Sequence, residues 1–413
     1  MLWESLLLPS QMGDLSRTII GVEGYELVFG DGNRAIDLSS GLWNVNFGYG
    51  NPCVANRIKQ VVDKTHYATL FRHSHPAAHE VAERLLAKVG WPQGALVFST
   101  SGSALNDVIV KLASHWNALV GRERARLIVT VEGSYHGMTL NSMQLSGDEL
   151  NQALYCGQSL RFVHLPPDDP EQWQAFFAKR GSMVGLVLLE PILGTGAIPL
   201  AEGVLQAIFE ARRQYNFLLA SDEVAAGFYR LGTIAASLQW GEQPDLIGFS
   251  KALTNGTEAS STLLISEPVA KEFISADSMF VHGETQAGSP MATAAILGVL
   301  DFTDSTDIES MYGKLEQQVQ ADLDNLAQKH GCKRRGQGLF QYLGFPAGMP
   351  KLADSNSSVL EATNLFRTHG ISVQPSIEGI QIIPAITMPL GTWSKAVSCL
   401  DRGLQELTQR STS

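Results

Sequence analysis

The sequence predicts an α/β protein with a mostly parallel sheet and a second, smaller α+β domain. Six short apolar runs lie in the middle of the chain, and most are continuous Val, Ile and Leu runs rather than alternating patterns. Such runs suit strands that are covered on both faces. Helical patterns separate them, and a repeated strand–helix–strand order is typical of a mostly parallel sheet. A chain of 413 residues exceeds what one core usually serves, so two domains are expected.

The N-terminal segment is expected to pack with the small domain. It contains a predicted hairpin, with strands at Tyr25–Phe29 and Ala35–Leu38 around Asp31-Gly32. The predicted N-terminal segment, large domain and small domain are residues 1–45, 46–305 and 306–413.

The large domain carries the predicted sheet. The helix predicted at Ser103–Asn117 places its apolar residues on one stripe, and Leu205–Tyr215 is a second helix. The predicted strands are, in chain order, Ala95–Ser99, Arg126–Val131, Val184–Glu190, Phe217–Asp222, Leu246–Ser250 and Ser261–Ile265.

After about Pro290 the pattern changes to long helices and short strands. The last helix, predicted at Trp393–Thr408, has an apolar stripe that includes Leu400 and Leu404. The other predicted elements are the helix Leu315–His330 and the strands Leu339–Phe345, Ile371–Pro375 and Gly379–Pro384.

Composition and charge exclude several classes of protein. Hydrophobic residues make up 44% of the chain and charged residues 17%, which argues against disorder. A net charge of -11 disfavours nucleic-acid and anionic membrane partners, and no apolar run approaches the ~18 residues of a membrane span. The N-terminus is a poor signal peptide, and the four cysteines are scattered without a C-x-x-C pair, so a cytoplasmic location is expected. His73-Ser74-His75 and His79 lack a convincing ligand set, and no metal is expected.

A small polar turn, Ser101-Gly102-Ser103, lies between a predicted strand and a predicted helix. Free N–H groups at a helix start, with glycine and hydroxyls beside them, suit a phosphate group. The alternative is an ordinary N-cap by Ser101 or Ser103. No G-x-x-x-x-G-K-[ST] motif is present, so a nucleotide P-loop is not supported.

Three further residues follow strand ends. Asp222 and Lys251 end neighbouring predicted strands, and Tyr135 follows an earlier one. An aspartate and a lysine in one cleft are what pyridoxal phosphate chemistry needs, because the amine can bind the aldehyde and the carboxylate can keep the pyridine nitrogen protonated. The alternatives are a helix-capping aspartate, a surface lysine and a loop tyrosine whose hydroxyl is hydrogen-bonded.

Together these motifs resemble the class III aminotransferases, pyridoxal phosphate enzymes of the aspartate-aminotransferase fold. The resemblance covers nearly the whole chain, from about Trp43 to Ile386. Ala104-Leu105-Asn106 departs from the family's usual Glu-Ala-Asn after the phosphate turn. The matching stretches are Ser101-Gly102-Ser103, Tyr135-His136-Gly137, Glu190-Pro191, Asp222-Glu223-Val224, the segment from Gly227 to Gly232, Ser250-Lys251 and the segment from His282 to Pro290.

The resemblance implies the fold of PLP-dependent transferases of fold type I, with a mostly parallel seven-stranded sheet, and pyridoxal 5'-phosphate as cofactor. In the family the lysine forms a Schiff base, the aspartate holds the ring nitrogen, and the tyrosine and the valine pack on opposite ring faces. Thr285 matches a threonine that reaches the cofactor phosphate of the neighbouring subunit, which implies a homodimer with shared active sites. The implied cofactor-binding residues are Ser101, Gly102, Ser103, Tyr135, His136, Glu190, Asp222, Val224, Lys251 and Thr285, and the implied catalytic residues are Lys251, Asp222 and Tyr135.

Three residues are assigned to the substrate pocket. Gln381 stands where many family members that bind α-carboxylates carry an arginine, and glutamine cannot form a charged, bidentate clamp. At least one substrate is therefore expected to lack a carboxylate beside the reacting carbon, unless another arginine such as Arg72 swings in. Glu190, unpaired without that arginine, is expected to attract a cationic amine. Trp43 lies in a segment that resembles the substrate-facing loop of ω-amine transaminases, and its alternative place is the core.

The expected reaction is transamination from an amine or amino-acid donor to a ketone or aldehyde acceptor without an adjacent carboxylate. The acceptor is a small molecule or a carbonyl on a natural product or modified peptide, as in the daptide-pathway enzymes. The alternatives are an aminomutase of the glutamate-1-semialdehyde type, a decarboxylating dialkylglycine-type enzyme and a PLP-binding regulator without turnover. A nucleotide-dependent oxidoreductase ranks last, because no G-x-G-x-x-G follows the first strand.

Overall fold

The structure is a computed structural model that describes residues 2–65, 67–149, 152–157, 159–346, 356–376 and 378–412. The chain forms two compact units. The first combines Met1–Asn51 with Ile308–Ser413, and the second is Pro52–Asp307. The domain boundaries expected from the sequence, after residues 45 and 305, stay a prediction.

The elements are named in chain order. The first 51 residues contain β1 (Ile19–Glu23), β2 (Glu26–Phe29), β3 (Arg34–Asp37) and a short helical turn at Ser40–Trp43. The second unit contains α1 (Pro52–Val62), α2 (Pro76–Lys88), β4 (Ala95–Ser99), α3 (Gly102–Leu119), β5 (Leu127–Val131), α4 (Leu140–Leu145), α5 (Gln152–Tyr155), β6 (Phe162–Leu165), α6 (Pro170–Arg180), β7 (Val184–Leu189), β8 (Ile192–Leu193), β9 (Ile198–Pro199), α7 (Glu202–Tyr215), β10 (Leu218–Asp222), β11 (Leu246–Phe249), β12 (Ser261–Ile265), α8 (Glu267–Ser275) and α9 (Pro290–Ser305). The remainder contains α10 (Ile308–His330), β13 (Lys333–Gln337), β14 (Phe340–Gly344), α11 (Asn356–Thr368), β15 (Ile371–Ser372), β16 (Gln374–Ser376), β17 (Gly379–Ile382) and α12 (Leu390–Thr412).

The second unit is built on a seven-stranded sheet with the order β4-β12-β11-β10-β7-β5-β6. Every strand runs in one direction except β12, which is antiparallel to both of its neighbours. The predicted mostly parallel sheet of seven strands is confirmed, and all six strands predicted from apolar runs are present. The edge strand β6 was not predicted, because Phe162–Leu165 contains a histidine and three of its four residues are only half-buried.

The sheet is covered on both faces, which explains its continuous apolar runs. In β7, Leu186 and Leu188 pack in a core with Ile109 of α3, while Val187 and Leu189 pack in a second core with Trp173 of α6. Neighbouring residues of one strand point to opposite faces, so each face needs its own apolar residues. Because they run in the same direction, five strands have their carboxyl ends at one edge of the sheet: β4, β5, β7, β10 and β11. This is the edge where α/β proteins bind ligands.

The first unit has two four-stranded sheets, ordered β1-β2-β3-β15 and β13-β14-β17-β16. The predicted hairpin is confirmed as the antiparallel pair β2 and β3. The prediction of one strand at Ile371–Pro375 is wrong, because β15 pairs in parallel with β3 whereas β16 pairs with β17 in the other sheet. Among the described residues, no helix is long and apolar enough to cross a membrane.

Candidate active site

Asp222 ends β10, and its buried carboxylate accepts three hydrogen bonds. Oδ2 accepts from Asn106 Nδ2 and from His136 Nδ1, each at 2.8 Å. Oδ1 accepts from the Val224 N–H at 3.0 Å. Asn106 also donates to the His136 carbonyl at 2.8 Å, so α3, the loop after β5 and β10 are joined around one carboxylate. Asn106 was not predicted as a site residue, although an asparagine within an apolar helix was a signal.

The environment of Asp222 favours its charged form. Burial opposes that charge, but the hydrogen bond and charge of His136 outweigh it and leave the pKa of Asp222 below its ordinary value. For His136, burial acts to lower the pKa, and the bond and charge of Asp222 raise it above its ordinary value. Both pKa shifts favour the ionised form of Asp222 and the protonated form of His136, and an ionised Asp222 can stabilise a protonated ring nitrogen.

Lys251 follows the end of β11 and starts a 3-10 turn, Lys251–Thr254. Its φ of 46° lies in the left-handed region, which residues with a Cβ rarely adopt. Ser250 fixes this turn, because its Oγ donates to the Ser260 carbonyl at 2.9 Å and its carbonyl accepts from the Leu253 N–H at 2.9 Å. Backbone strain of this kind is concentrated at functional sites.

The amine of Lys251 is buried near two carboxyl groups. Burial lowers the pKa of Lys251 to about 8, against the opposing influence of Asp222 and Glu190. A substantial fraction of this amine is therefore neutral at mildly alkaline pH, and the neutral amine is the nucleophile. The structure thus brings together three of the residues that the sequence predicted for the site.

Glu190 follows β7, and backbone amides bind both of its oxygens. Oε2 accepts from the Tyr135 N–H and Oε1 from the Gly194 N–H, each at 3.0 Å. The expectation that Glu190 is unpaired is therefore wrong. Burial raises the pKa of Glu190 to about 7, and Asp222 adds to that rise, while His136 opposes it. The carboxyl is only partly ionised near neutral pH, which weakens any attraction for a cationic amine.

The raised pKa of Glu190 predicts a pH dependence of stability. From the ordinary value of 4.5 up to about 7, the unfolded chain has released a proton that the folded protein still holds. The contribution of Glu190 to the free energy of unfolding is therefore full below the lower value and is lost as the pH rises through the upper one. Glu190→Gln removes this dependence, so the variant gains stability relative to the native protein on going from pH 5 to pH 8.

Urea unfolding of the cofactor-free proteins at both pH values measures this change. The exposed Glu210 on α7 provides the matched control, and Glu210→Gln should leave the pH dependence unchanged. Parallel stability curves for Glu190→Gln and the native protein would show that Glu190 keeps an ordinary pKa.

Tyr135 lies in the loop after β5, and its ring is half-buried. Burial raises the pKa of Tyr135, and the charges of Asp148, Asp222 and Glu190 raise it further, so the hydroxyl stays protonated. Its backbone N–H is fixed by Glu190, which places it in the same cluster as Lys251.

The predicted phosphate turn begins α3, which has 18 residues. Ser101 Oγ accepts from the Ala104 N–H at 3.2 Å, so Ser101 is the N-cap. A Cβ at Gly102 would lie 3.1 Å from Val224 Cγ1, which puts the turn in contact with the residue after Asp222-Glu223. Ser103 Oγ accepts from the Met138 N–H at 3.1 Å. The turn therefore lies beside the carboxylate cluster, and the start of a long helix suits an anion.

The loop between α8 and α9 is fastened to the end of β4 by Glu284, which the sequence analysis did not single out. Its carboxylate accepts hydrogen bonds from the hydroxyls of Ser99 and Thr100 and from the Thr100 N–H. Thr285 is exposed, and its carbonyl accepts from the Tyr67 hydroxyl at 2.7 Å.

Trp43 and Gln381 belong to the first unit, where they are linked through one sheet. Gln381 is 4% exposed and lies opposite Tyr342 in the register of β14 and β17. Phe340 shares that face of β14, because alternate residues of a strand point the same way. The rings of Trp43 and Phe340 are 5.5 Å apart. Trp43 thus packs on the sheet face that carries Gln381, and it is only half-buried.

No group of three or more His, Cys, Asp or Glu side chains suited to a metal ion occurs among the residues that the structure describes. The buried cluster is instead a set of one amine and two carboxyl groups beside a helix N-terminus.

The sequence is similar to those of known aminotransferases. The profile of a family described as aminotransferase class-III matches residues 14–402. The chain is 31% identical over 303 residues to an uncharacterised aminotransferase of Sinorhizobium fredii, a match that covers 67% of this chain and 64% of that protein. It is 28% identical over 313 residues to a β-alanine–pyruvate aminotransferase of Pseudomonas aeruginosa, covering 69% of each chain. An omega-aminotransferase of Caulobacter vibrioides is 26% identical over 407 residues, with 91% of each chain covered.

Solved structures share the fold over nearly the full length. An omega-aminotransferase from Paracoccus denitrificans superposes with a TM-score of 0.90 at 24% identity, covering 99% of this chain and 97% of that one. The PMP-bound aminotransferase of Vibrio fluvialis superposes with a TM-score of 0.89 at 24% identity, covering 100% of this chain and 97% of that one.

Proposed function

Because the chain belongs to the class III aminotransferases, a family of PLP-dependent enzymes, we propose that it transfers an amino group to a ketone or aldehyde that lacks an adjacent carboxylate. The donor is an amine or an amino acid. The acceptor is a small molecule or a carbonyl on a natural product or modified peptide. The proposal includes a homodimer in which the exposed Thr285 reaches the cofactor phosphate of the second subunit.

The residues of the site fit pyridoxal 5'-phosphate. Asp222 is ionised and can hold a protonated ring nitrogen, and the buried Lys251 amine can bond to an aldehyde carbon. The N-terminus of α3 can receive a phosphate at Ser101–Ser103. Gly102 leaves room there, since any side chain would press on Val224.

When bound, this cofactor supplies a ring that accepts electrons from the substrate carbon. Lys251 is proposed to move a proton to and from that carbon, which its lowered pKa permits near neutral pH. Asp222 keeps the ring nitrogen protonated, and His136 holds Asp222 in its charged form. The half-buried ring of Tyr135, whose hydroxyl stays protonated, is available to stack on the cofactor ring.

The acceptor proposal depends on one observation, the buried Gln381 in β17. The family's carboxylate-binding arginine is expected at this position, and a neutral amide stands there instead. A hydrogen bond to a carboxylate from a charged group is worth ~1.5–3 kcal/mol, about twice that from a neutral one. The rings of Phe340 and Tyr342 lie on the same face as Gln381, and the guanidinium carbon of Arg335 lies over the Tyr342 ring, 3.9 Å from its centroid.

The names of relatives support a donor whose reacting carbon bears no carboxylate, while two of them name pyruvate, an α-keto acid, as the acceptor. Their names include a β-alanine–pyruvate, a putrescine–pyruvate and a γ-aminobutyrate transaminase, at 28%, 26% and 27% identity. In β-alanine, putrescine and γ-aminobutyrate, the carbon that bears the reacting amine carries no carboxylate.

An acceptor screen tests the proposal. With one amine donor, kcat/KM is measured for α-keto acids, methyl ketones, aldehydes and a peptide that ends in an aldehyde. We expect the carbonyls without a carboxylate to match or exceed the α-keto acids. A strong preference for α-keto acids that disappears when Gln381 is replaced would overturn the proposal.

Gln381→Arg is expected to shift acceptor preference towards α-keto acids by about tenfold or more, since a charge-assisted bond to a carboxylate is worth ~1.5–3 kcal/mol. The measurement is the ratio of kcat/KM values for pyruvate and a methyl ketone of the same size. Gln317→Arg adds the same charge at an exposed position of α10 and should leave the ratio unchanged. An equal shift in both variants would mean that net charge, rather than the position of Gln381, sets the preference.

A further inference from the structure

Four consecutive residues after β3 have a left-handed backbone. The φ angles of Ser40, Gly41, Leu42 and Trp43 are 48°, 58°, 57° and 68°. Left-handed residues normally occur singly, because a Cβ approaches the following carbonyl oxygen in this conformation. Three of the four residues here have a Cβ. Such a turn persists only where the surrounding structure holds it, and strain of this kind is concentrated at functional sites.

Asp37, the last residue of β3, holds the turn. Its carboxylate is 2% exposed and accepts four hydrogen bonds. Oδ1 accepts from the N–H and the hydroxyl of Ser39, at 2.8 and 2.7 Å. Oδ2 accepts from the Gly41 N–H at 2.6 Å and from the Tyr49 hydroxyl at 2.7 Å. The bond to Gly41 reaches into the left-handed turn itself.

Tyr49 and Gly41 complete this arrangement. Burial raises the pKa of Tyr49, and the charge of Asp37 raises it further, so the hydroxyl remains a donor. A Cβ at Gly41 would lie 2.9 Å from Val45 Cγ2 and 3.1 Å from the Tyr49 hydroxyl. A side chain at this second position of the turn would therefore displace Val45 or Tyr49.

The first residue of the turn is tied to the sheet that carries Gln381. Ser40 Oγ donates to the Ile383 carbonyl at 2.6 Å, directly after β17. Trp43 packs on Phe340 in the adjacent strand. The position of the Trp43 ring on this face therefore depends on the left-handed backbone conformation of the turn.

We infer that Asp37 is a specificity-determining positioning residue, which locks the left-handed turn at 40–43 and thereby fixes Trp43 as one wall of the substrate pocket. The inference rests on the proposed function, which places Trp43 and Gln381 at the substrate. Asp37 acts through Trp43 and touches no reacting group. A Trp43 ring held in one position discriminates between small and bulky substrates, whereas a mobile ring moves aside and admits both.

The test uses the holoenzyme with 2-aminopropane as the small donor and 1-phenylethylamine as the bulky donor. The reaction rate is measured from the loss of the cofactor's absorbance. Asp37→Asn places an N–H₂ group where donors now point, and Tyr49→Phe removes one donor. In Asp37→Asn we expect the ratio of the two KM values to change by about tenfold, with kcat for the small amine within about twofold. Tyr49→Phe should shift the ratio less, in the same direction. Asp31→Asn, at an exposed position of the β2–β3 hairpin, is the matched control.

A second variant separates positioning from general damage. Leu42 is 52% exposed, and asparagine adopts a left-handed backbone more readily than leucine does. Leu42→Asn added to Asp37→Asn should restore most of the KM ratio. The ¹⁹F NMR signal of 5-fluorotryptophan at position 43 should shift in Asp37→Asn and return in the double variant. An unchanged signal and KM ratio in Asp37→Asn, or a loss of ratio that Leu42→Asn does not restore, would overturn the inference.

Trp43→Ala distinguishes failure of the inference from failure of the proposed function. If Trp43→Ala leaves the KM ratio unchanged, Trp43 is not a pocket wall, and that part of the proposed function fails together with the inference. If Trp43→Ala changes the ratio while Asp37→Asn changes neither the ratio nor the signal, the inference alone is wrong.

Discussion

Lys251→Ala should lower the rate of transamination by at least about 10³-fold, since general acid–base catalysis alone contributes ~10²–10⁴-fold and the covalent anchor is lost as well. The amine lies in a buried cluster with Asp222 and Glu190, and burial lowers its pKa to about 8. Alanine can neither bond to the cofactor aldehyde nor carry a proton. The variant should still fold, because backbone hydrogen bonds and the Ser250 hydroxyl hold the 3-10 turn.

Single-turnover absorbance measurements check this expectation. Adding methylamine to Lys251→Ala should restore part of the proton-transfer rate, because a small amine can occupy the space of the missing side chain. Lys271→Ala, at an exposed position on α8, is the matched control and should retain full activity. Turnover of Lys251→Ala within tenfold of the native rate would exclude Lys251 as the catalytic amine.

Asp222→Asn should lower kcat by about 10²–10³-fold, the range measured for removing one preorganised electrostatic group from an active site. A neutral amide cannot hold a proton on the ring nitrogen, and the ring then accepts electrons less readily. The change also leaves one donor of the Asn106, His136 and Val224 set facing an N–H₂ group, which costs ~1–3 kcal/mol of stability.

Steady-state kinetics and thermal unfolding together separate the two effects of Asp222→Asn. The variant should retain cofactor and a cooperative unfolding transition while its kcat falls. Asp277→Asn makes the same change at an exposed residue after α8 and should alter neither quantity. A native kcat in Asp222→Asn would remove the aspartate from the proposed mechanism.

Much of the fold could be predicted because buried parallel strands leave a strong signal. Continuous apolar runs located six of the seven strands, and β6 was missed because His164 interrupts a run of only four residues, three of them half-buried. The segment from Ile371 to Pro375 was wrongly predicted as one strand. An apolar pattern indicates which residues are buried but not which strands they pair with, and the two halves of this segment join different sheets.

The site could be predicted in part for the same reason. Asp222 and Lys251 stand at strand ends, where chain position alone indicates a shared edge. The bonds that Ser99 and Thr100 donate to Glu284, and the bond that the Gly41 N–H donates to Asp37, had no such signal. A carboxylate that accepts several donors is visible only when the chain segments that supply them are brought together.

Borohydride reduction of the purified protein, followed by peptide mapping, decides whether Lys251 binds the cofactor. We expect a yellow protein that borohydride bleaches, with the cofactor mass fixed to the peptide that contains Lys251. A colourless protein, or cofactor fixed to a different lysine, would contradict the assignment of Lys251 and Asp222 as the cofactor site.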